Sequence, residues 1–340
     1  MKSLLKNARE QKGLKTREVS QILGIDQALI SKFESGFRKP TRDQVTRLAK
    51  LLEIDYETLM IAWLKEKILY EIENEEFALK ALAAVEEELK YQKSVSKIEL
   101  SAILEKLLKE IDILKAKANS LENSYDEISK KTELEYTFES NRLDGNSMTL
   151  QETEMVISEG LTISGKSMRE HFEAVNHQEA IRFIKDLLKN NSFDERDLLS
   201  IHNLILRGIN TENAGIYRKA KIINNQNLTI GTEPSMIPKE IENYFFWYEV
   251  NKNELHPVIL ASEMHIRILK IFPFAEANER TARLIMNLIL LQHEYPIVII
   301  KEDNRIKYEE LIANDNSEDF ILFIARIQKE NLANILRVSN

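Results

Sequence analysis

HPVILASEMHIRILKIFPFAEANERTARLIMNLILL, residues 256–291, is the stretch whose reading decides the C-terminal fold. It reads as one amphipathic helix, a short loop at Pro273 to Asn278, and a second helix starting near Arg280. A loop that aims backbone N–H groups and a helix N-terminus at one point is a ready anion site. Asn278, Arg280 and Arg283 add polar and cationic groups at that point. The plainer alternative is a packed helical bundle with no ligand.

Outward from this stretch the composition points the same way. The 340 residues suffice for two or three domains, and only 9 glycines and 6 prolines disfavour a turn-rich β fold. Helix formers dominate, so the fold class expected is mainly α. The absence of cysteine excludes disulfides, thiolate catalysis and cysteine-ligated zinc. No apolar run approaches the roughly 18 residues of a membrane span, and no signal-peptide core is present. A cytoplasmic protein with no membrane partner is expected.

Charge is unevenly placed. The net charge is −8, yet residues 1–50 hold 12 Lys/Arg against 5 Asp/Glu, a local +7 on a body of −15. A basic module on an acidic body suits local contact with phosphates.

That module, residues 1–60, parses into short punctuated helices. Gly13 ends the first; Thr16 is a plausible N-cap for the second, Arg17 to Leu23, which stops at Gly24. Asp26 caps a third helix, Gln27 to Glu34, and Arg42 to Leu52 form a further amphipathic helix. Two short helices joined by a tight glycine turn form a helix-turn-helix, whose second helix enters the DNA major groove. Gln27, Ala28, Ser31 and Lys32 fall on its outward face, with Leu29, Ile30 and Phe33 turned inward. Glutamine can pair adenine and lysine can reach guanine. Arg17, Lys32, Arg38 and Lys39 are the candidates for phosphate contacts. A small protein-interaction module with a solvated basic face is the alternative. The segments GL-T-REVS-LGI, ISKFESG-RKPT and LAKLLEID resemble the Cro/repressor (XRE) helix-turn-helix family over the whole module, which implies double-stranded DNA as partner.

Residues 61–132 read as a helical connector. Leu100, Leu104, Leu107, Ile111, Leu114, Ala118, Leu121, Tyr125 and Ile128 recur at 4,3 spacing, which predicts a coiled coil over 100–128. In a parallel pair Glu110 would face Lys115 and Lys117 would face Glu122, so a homodimer is expected. The alternative is that this helix packs on its own chain, as a hairpin or against the C-terminal domain.

Residues 133–340 form the last region. Phe272-Pro-Phe-Ala-Glu-Ala-Asn-Glu-Arg-Thr-Ala-Arg283 resembles the signature of the Fic family, His-x-Phe-x-(Asp/Glu)-(Gly/Ala)-Asn-(Gly/Lys)-Arg-x-x-Arg. The similarity runs over roughly residues 134–330 and includes EAVNHQEA (173–180) and GIYRKAKI (215–222). It implies an all-α Fic domain with a small β-hairpin flap, at which a protein partner would dock. Members of the family transfer AMP from ATP to protein hydroxyls. By this resemblance Glu276 would hold Mg²⁺ on the ATP phosphates, Asn278 would orient the phosphate loop, and Arg280 and Arg283 would grip phosphates. No cofactor is expected to be required, and ATP with Mg²⁺ enters only if the site still binds nucleotide.

Two positions depart from the signature. Phe272 stands where the family has its general-base histidine, and loss of such a base costs roughly 10²–10⁴-fold in rate. His265 lies seven residues up the helix, about 10 Å away, and cannot replace it. Glu279 puts a carboxylate in the phosphate cradle, where it opposes a triphosphate. Upstream, SNRLDGN (140–146) resembles the family's inhibitory motif, (Ser/Thr)-x-x-x-Glu-(Gly/Asn), with Ser140, Asp144 and Gly145 at the defining positions. Asp144 would pair with Arg283; being one methylene shorter than glutamate, it is expected to pair loosely or through water.

The reading is a dimeric, sequence-specific transcriptional regulator with a catalytically impaired Fic domain as sensor, docking or assembly element. Two others stay open. One is a Fic adenylyltransferase or AMP-removing enzyme acting on a protein hydroxyl and restrained through Asp144 and Arg283. The other is a toxin–antitoxin component whose Fic domain binds an active partner.

Overall fold

The computed structural model describes residues 1–72, 75–95, 100–119, 125–189, 193–223, 229–314 and 316–338. They divide into two compact units, Met1–Ser94 and Val95–Asn340. The fold is mainly α, and no described helix is long and apolar enough to cross a membrane.

The first unit holds α1 (Lys2–Gln11), α2 (Thr16–Leu23), α3 (Gln27–Ser35), α4 (Arg42–Leu52), α5 (Tyr56–Ile72) and α6 (Ala78–Val95). Gly24 adopts φ 62° and ends α2 in the left-handed conformation that glycine tolerates. Asp26 accepts from the backbone N–H groups of Ala28 and Leu29, which otherwise have no partner at a helix start. Lys15, rather than Thr16, is the residue before α2; Glu18 reaches back to its backbone N–H. On α4, Val45, Leu48, Ala49 and Leu52 form one buried stripe at helical spacing. They meet Leu5, Val19, Ile30 and Phe33 in one core. Leu59, Met60 and Trp63 of α5 complete that core, and Trp63 Nε1 donates to Pro40 O at 2.9 Å. The packed unit therefore runs past residue 60.

The second unit comprises α7 (Ala102–Asn119), α8 (Tyr125–Leu143), α9 (Leu150–Glu154) continued by a π turn (Met155–Glu159), α10 (Met168–Leu187), α11 (Glu195–Leu206), β1 (Ile222–Ile223), β2 (Thr229–Ile230), α12 (Ile237–Asn251), α13 (Pro257–Ile271), α14 (Asn278–Gln292), α15 (Arg305–Ala313) and α16 (Ser317–Val338). The two strands pair antiparallel, Ile222 opposite Ile230, and make the expected hairpin. At the centre stand α13 and α14, packed on each other and ringed by α8, α10, α11, α12 and α16. The sequence pattern suggests an amphipathic helix for α13, and Ser262, Glu263 and His265 on its polar face are buried too. Burial is possible because each has a partner: Ser262 donates to Val258 O, Arg267 pairs with Glu263, and His265 meets Tyr308.

The coiled coil expected over 100–128 is corrected by the structure. The seam of α7 packs against α16 of the same chain, burying Leu104, Ile111 and Ala118. Glu110 accepts from Lys329 at 2.6 Å, and Lys115 lies 4.0 Å from Glu294, so these charges are paired within the chain. A 4,3 apolar pattern requires a partner helix but does not say whose. Leu121 and the side chains of Tyr125 and Ile128 lie outside the described residues.

Candidate functional site

The loop from Phe272 to Ala277 joins the two central helices. Phe272 ends α13 at φ 51°, and Ala277 precedes α14 at φ 58°, both in the left-handed region. Asn278 closes the loop reciprocally: its Oδ1 accepts from Phe274 N at 3.0 Å, and its Nδ2 donates to Phe274 O at 2.9 Å. Phe274 is buried and stacks on His202, with ring centroids 3.6 Å apart. His202 Nδ1 accepts from Gly215 N at 2.9 Å, so Nε2 carries the proton and donates to Glu276 O at 3.1 Å. Burial holds this imidazole neutral, with its pKa down at about 4. His202 thus ties the signature loop to the GIYRKAKI segment. Its separation of 74 residues from Glu276 hid it from sequence reasoning.

The flap docks on the same loop through Arg218. Its backbone N–H donates to Pro273 O and its Nε to Phe272 O, at 2.9 and 2.7 Å, while Nη2 reaches Thr232 O. Gly231 lies so close that an added Cβ would stand 2.4 Å from Phe272 Cβ, so only glycine fits there. Phe272 and the flap residue Ile230 line a cleft of about 540 Å³. Asp144, Glu279, Arg280, Arg283 and Tyr308 also line this cleft. His265 is fully buried, with Nε2 2.9 Å from Tyr308 Oη and the ring stacked on Phe320. It belongs to the core.

Both signature arginines are buried and meet one carboxylate. Arg283 Nη2 lies 2.9 Å from Asp144 Oδ1 and also donates to Ser140 O at 2.8 Å, while its Nε donates to Ser140 Oγ at 3.0 Å. Arg280 Nε lies 2.7 Å from Asp144 Oδ2 and Nη1 3.4 Å from Glu173 Oε1, both off the hydrogen-bonding line. The expected loose or water-bridged pair is therefore corrected: Asp144 reaches both arginines directly. The chain turns after α8, where Asp144 N and Gly145 N donate back to Asn141 O and Arg142 O and Gly145 takes φ 96°. That turn carries the short side chain to the arginines and compensates for the missing methylene.

Glu279 is half-buried in the cleft. Burial raises its carboxyl above the ordinary value, and the charge of Asp144 adds to this against its own backbone N–H and the two arginines. Glu276 faces the opposite way in charge. Its Oε2 accepts from Arg169 Nη2 at 2.7 Å and its Oε1 from Asn210 Nδ2 at 2.6 Å. Burial alone would raise this carboxyl, but those two donors bring it below the ordinary value. The fit to Mg²⁺ fails on this geometry. Both oxygens that would bind the ion already accept hydrogen bonds, and one donor is a cation. Among the described residues no cluster of three His, Asp or Glu stands ready for a metal. Arg169, Asn210 and Glu173 were missed in the sequence, although Glu173 opens the EAVNHQEA stretch.

In the first unit, Arg17, Gln27, Ala28, Ser31, Lys32 and Arg38 are all exposed. Gln27 Nε2 touches Thr16 Oγ1 at 3.3 Å and so lies against the start of α2. Lys39 is placed differently from expectation. Its ammonium donates to Glu66 O at 2.8 Å and sits over the Tyr70 ring, so it anchors α5 rather than facing a phosphate.

Residues 192–290 match the Fic/DOC family, and residues 3–62 match a helix-turn-helix domain. The chain joins a helix-turn-helix domain to a Fic domain. Its Fic domain is similar to "Protein adenylyltransferase Fic" of Nematostella vectensis, 31% identical over 209 residues, 60% of this chain and 48% of that protein. "Protein adenylyltransferase fic-1" of Caenorhabditis elegans is 27% identical over 244 residues, 70% of this chain and 48% of that one. The chain thus spans about half the length of these relatives. Among solved structures, Fic-1 from C. elegans aligns with a TM-score of 0.63 at 21% identity, over 85% of this chain and 84% of that one. A Fic-domain signaling protein from Bacteroides thetaiotaomicron aligns at 0.62 and 22% identity, over 68% and 96% of the two chains. At such identities the likeness shows the fold.

Proposed function

We propose that this chain is a sequence-specific DNA-binding transcriptional regulator whose Fic domain receives a nucleotide or other phosphate-bearing ligand without transferring AMP. The observation that carries the reading is Phe272 at the general-base position, with neither His265 nor His202 free to replace it. His265 is sealed in the core, and both nitrogens of His202 are engaged with backbone groups. A protein hydroxyl entering the cleft finds nothing at residue 272 to take its proton. The DNA-binding half is supported by the exposed outward face of α3, Gln27, Ala28, Ser31 and Lys32, with Arg17 and Arg38 beside it. Such a helix reads bases while the arginines meet phosphates.

Helix-turn-helix proteins commonly read two half-sites as dimers, so two copies on one operator are part of this proposal. With the α7 seam already covered, one exposed apolar surface on the DNA-binding unit is that of α5, with Ile61, Leu64 and Ile68. Footprinting on DNA upstream of its own gene tests the reading. Salt-sensitive protection of a two-fold symmetric site is expected, and the absence of any sequence-selective binding refutes it.

One observation favours a second reading. Asn278, Arg280 and Arg283 keep their signature positions, and the relatives are named protein adenylyltransferases. Incubation with labelled ATP and cell lysate distinguishes the two. Label transfer that disappears in Arg283→Ala would establish the enzyme.

A further inference from the structure

We infer that Arg169 takes the place of the divalent cation in this Fic domain, so that the cleft receives its nucleotide without Mg²⁺. The inference rests on the proposal that the cleft binds a phosphate-bearing ligand. Its basis is the position of one guanidinium. Arg169, in the first turn of α10, places Nη2 2.7 Å from Glu276 Oε2 and Nε 3.2 Å from Glu173 Oε1. It therefore bridges the carboxylate that the resemblance assigns to the metal and a second carboxylate that also faces Arg280. Asn210 donates to the remaining Glu276 oxygen at 2.6 Å.

Mg²⁺ needs a near-octahedral shell of oxygens at about 2.0–2.1 Å, usually one or two carboxylates with phosphates and water. Among the described residues lining the cleft, Glu279 has no salt bridge to an arginine, and burial there favours its neutral form. A divalent ion on Glu276 would sit against the Arg169 cation, an unfavourable contact at an effective dielectric well below that of water. Arg169 instead offers the charge neutralisation of a cation and N–H groups that can turn to phosphate oxygens. Because its side chain is 52% exposed along the cleft, it can reach a ligand without unpacking the core. Arg169 is thus a binding and specificity residue, with no part in bond making.

Calorimetric titration with ATP tests this in four arms: wild type and Arg169→Ala, each in excess Mg²⁺ and in EDTA. The wild type is expected to bind ATP equally in both, within about threefold, whereas Arg169→Ala binds at least about tenfold more tightly with Mg²⁺ than without. Arg169→Lys keeps a cation on Glu276 and is expected to show no Mg²⁺ dependence. Mg²⁺-dependent binding by the wild type, or an Arg169→Ala variant indifferent to Mg²⁺ while still binding, overturns the inference and leaves the ligand-binding proposal standing. No ATP binding in any arm overturns both. Circular dichroism of each variant separates loss of binding from loss of fold.

Discussion

Asp144 and Arg283, 139 residues apart, meet directly with Oδ1 2.9 Å from Nη2, and the other Asp144 oxygen lies 2.7 Å from Arg280 Nε. One carboxylate at the end of α8 is thus the shared counter-ion of two buried guanidiniums on α14.

Removing that charge has two opposite consequences. Asp144→Asn removes the counter-ion shared by two buried cations, and a loss of about 3–5 kcal/mol in unfolding free energy is expected. The same variant frees Arg280 and Arg283 for ligand phosphates, so ATP or phosphate binds more tightly. Urea unfolding and calorimetry check the two effects separately. Unchanged affinity would show that the pair is structural and does not screen the cleft.

Restoring the histidine alone is expected to leave AMP transfer undetectable. In Phe272→His the cleft still holds the Glu279 carboxylate. Phe272→His combined with Glu279→Gly is the variant in which labelled AMP should first reach a protein target. Robust transfer by the single variant would show that the carboxylate at 279 matters less than its position in the cleft implies.

Ala277 adopts φ 58° at the start of α14, where a Cβ is disfavoured by about 1–2 kcal/mol. Ala277→Gly relieves that cost at the expense of unfolded-chain entropy, and a net gain of about 0.5–1 kcal/mol is expected. Thermal unfolding measures it, and a loss of stability would mean that the Ala277 methyl packs too well to give up.

Acid should unfold the Fic domain early. Burial depresses His202 to about 4 and His265 to about 3, and lowers His177 as well, all from an ordinary value of 6.5. A depressed histidine binds its proton more readily unfolded than folded. The stability it contributes is therefore complete above about 6.5 and is lost as pH falls through the window toward 4 and 3. Unfolding titrations near pH 5 should show uptake of about three protons on unfolding, one for each of these rings. A level profile would contradict the burial of these rings.

The α7 seam gives a prediction that separates the intrachain packing from a coiled coil. Leu104→Ala and Ile111→Ala remove fully buried side chains and should each cost about 2–4 kcal/mol of Fic-domain stability. The oligomeric state, followed by sedimentation, should not change.

Much was legible in the sequence because it is local. Gly24, Asp26 and the Val45–Leu48–Ala49–Leu52 stripe announce their helices through caps and spacing that act within one or two turns. The Phe272–Arg283 signature, with its missing base and its extra carboxylate at 279, was also complete as a string of residues. Lys39 was misread because a basic residue in a loop gives no sign of which carbonyl it will meet.

By itself, then, the sequence determined the two domains, the position of the signature loop and the absence of a histidine within it. Only the tertiary structure decided who covers the α7 seam, which cation sits on Glu276 and how far Asp144 reaches. Those outcomes depend on pairs 107 to 219 residues apart, Arg169 with Glu276, Asp144 with Arg283 and Glu110 with Lys329. Helical spacing and motif position fix what a residue offers; which partner it finds is set by the packing of distant helices.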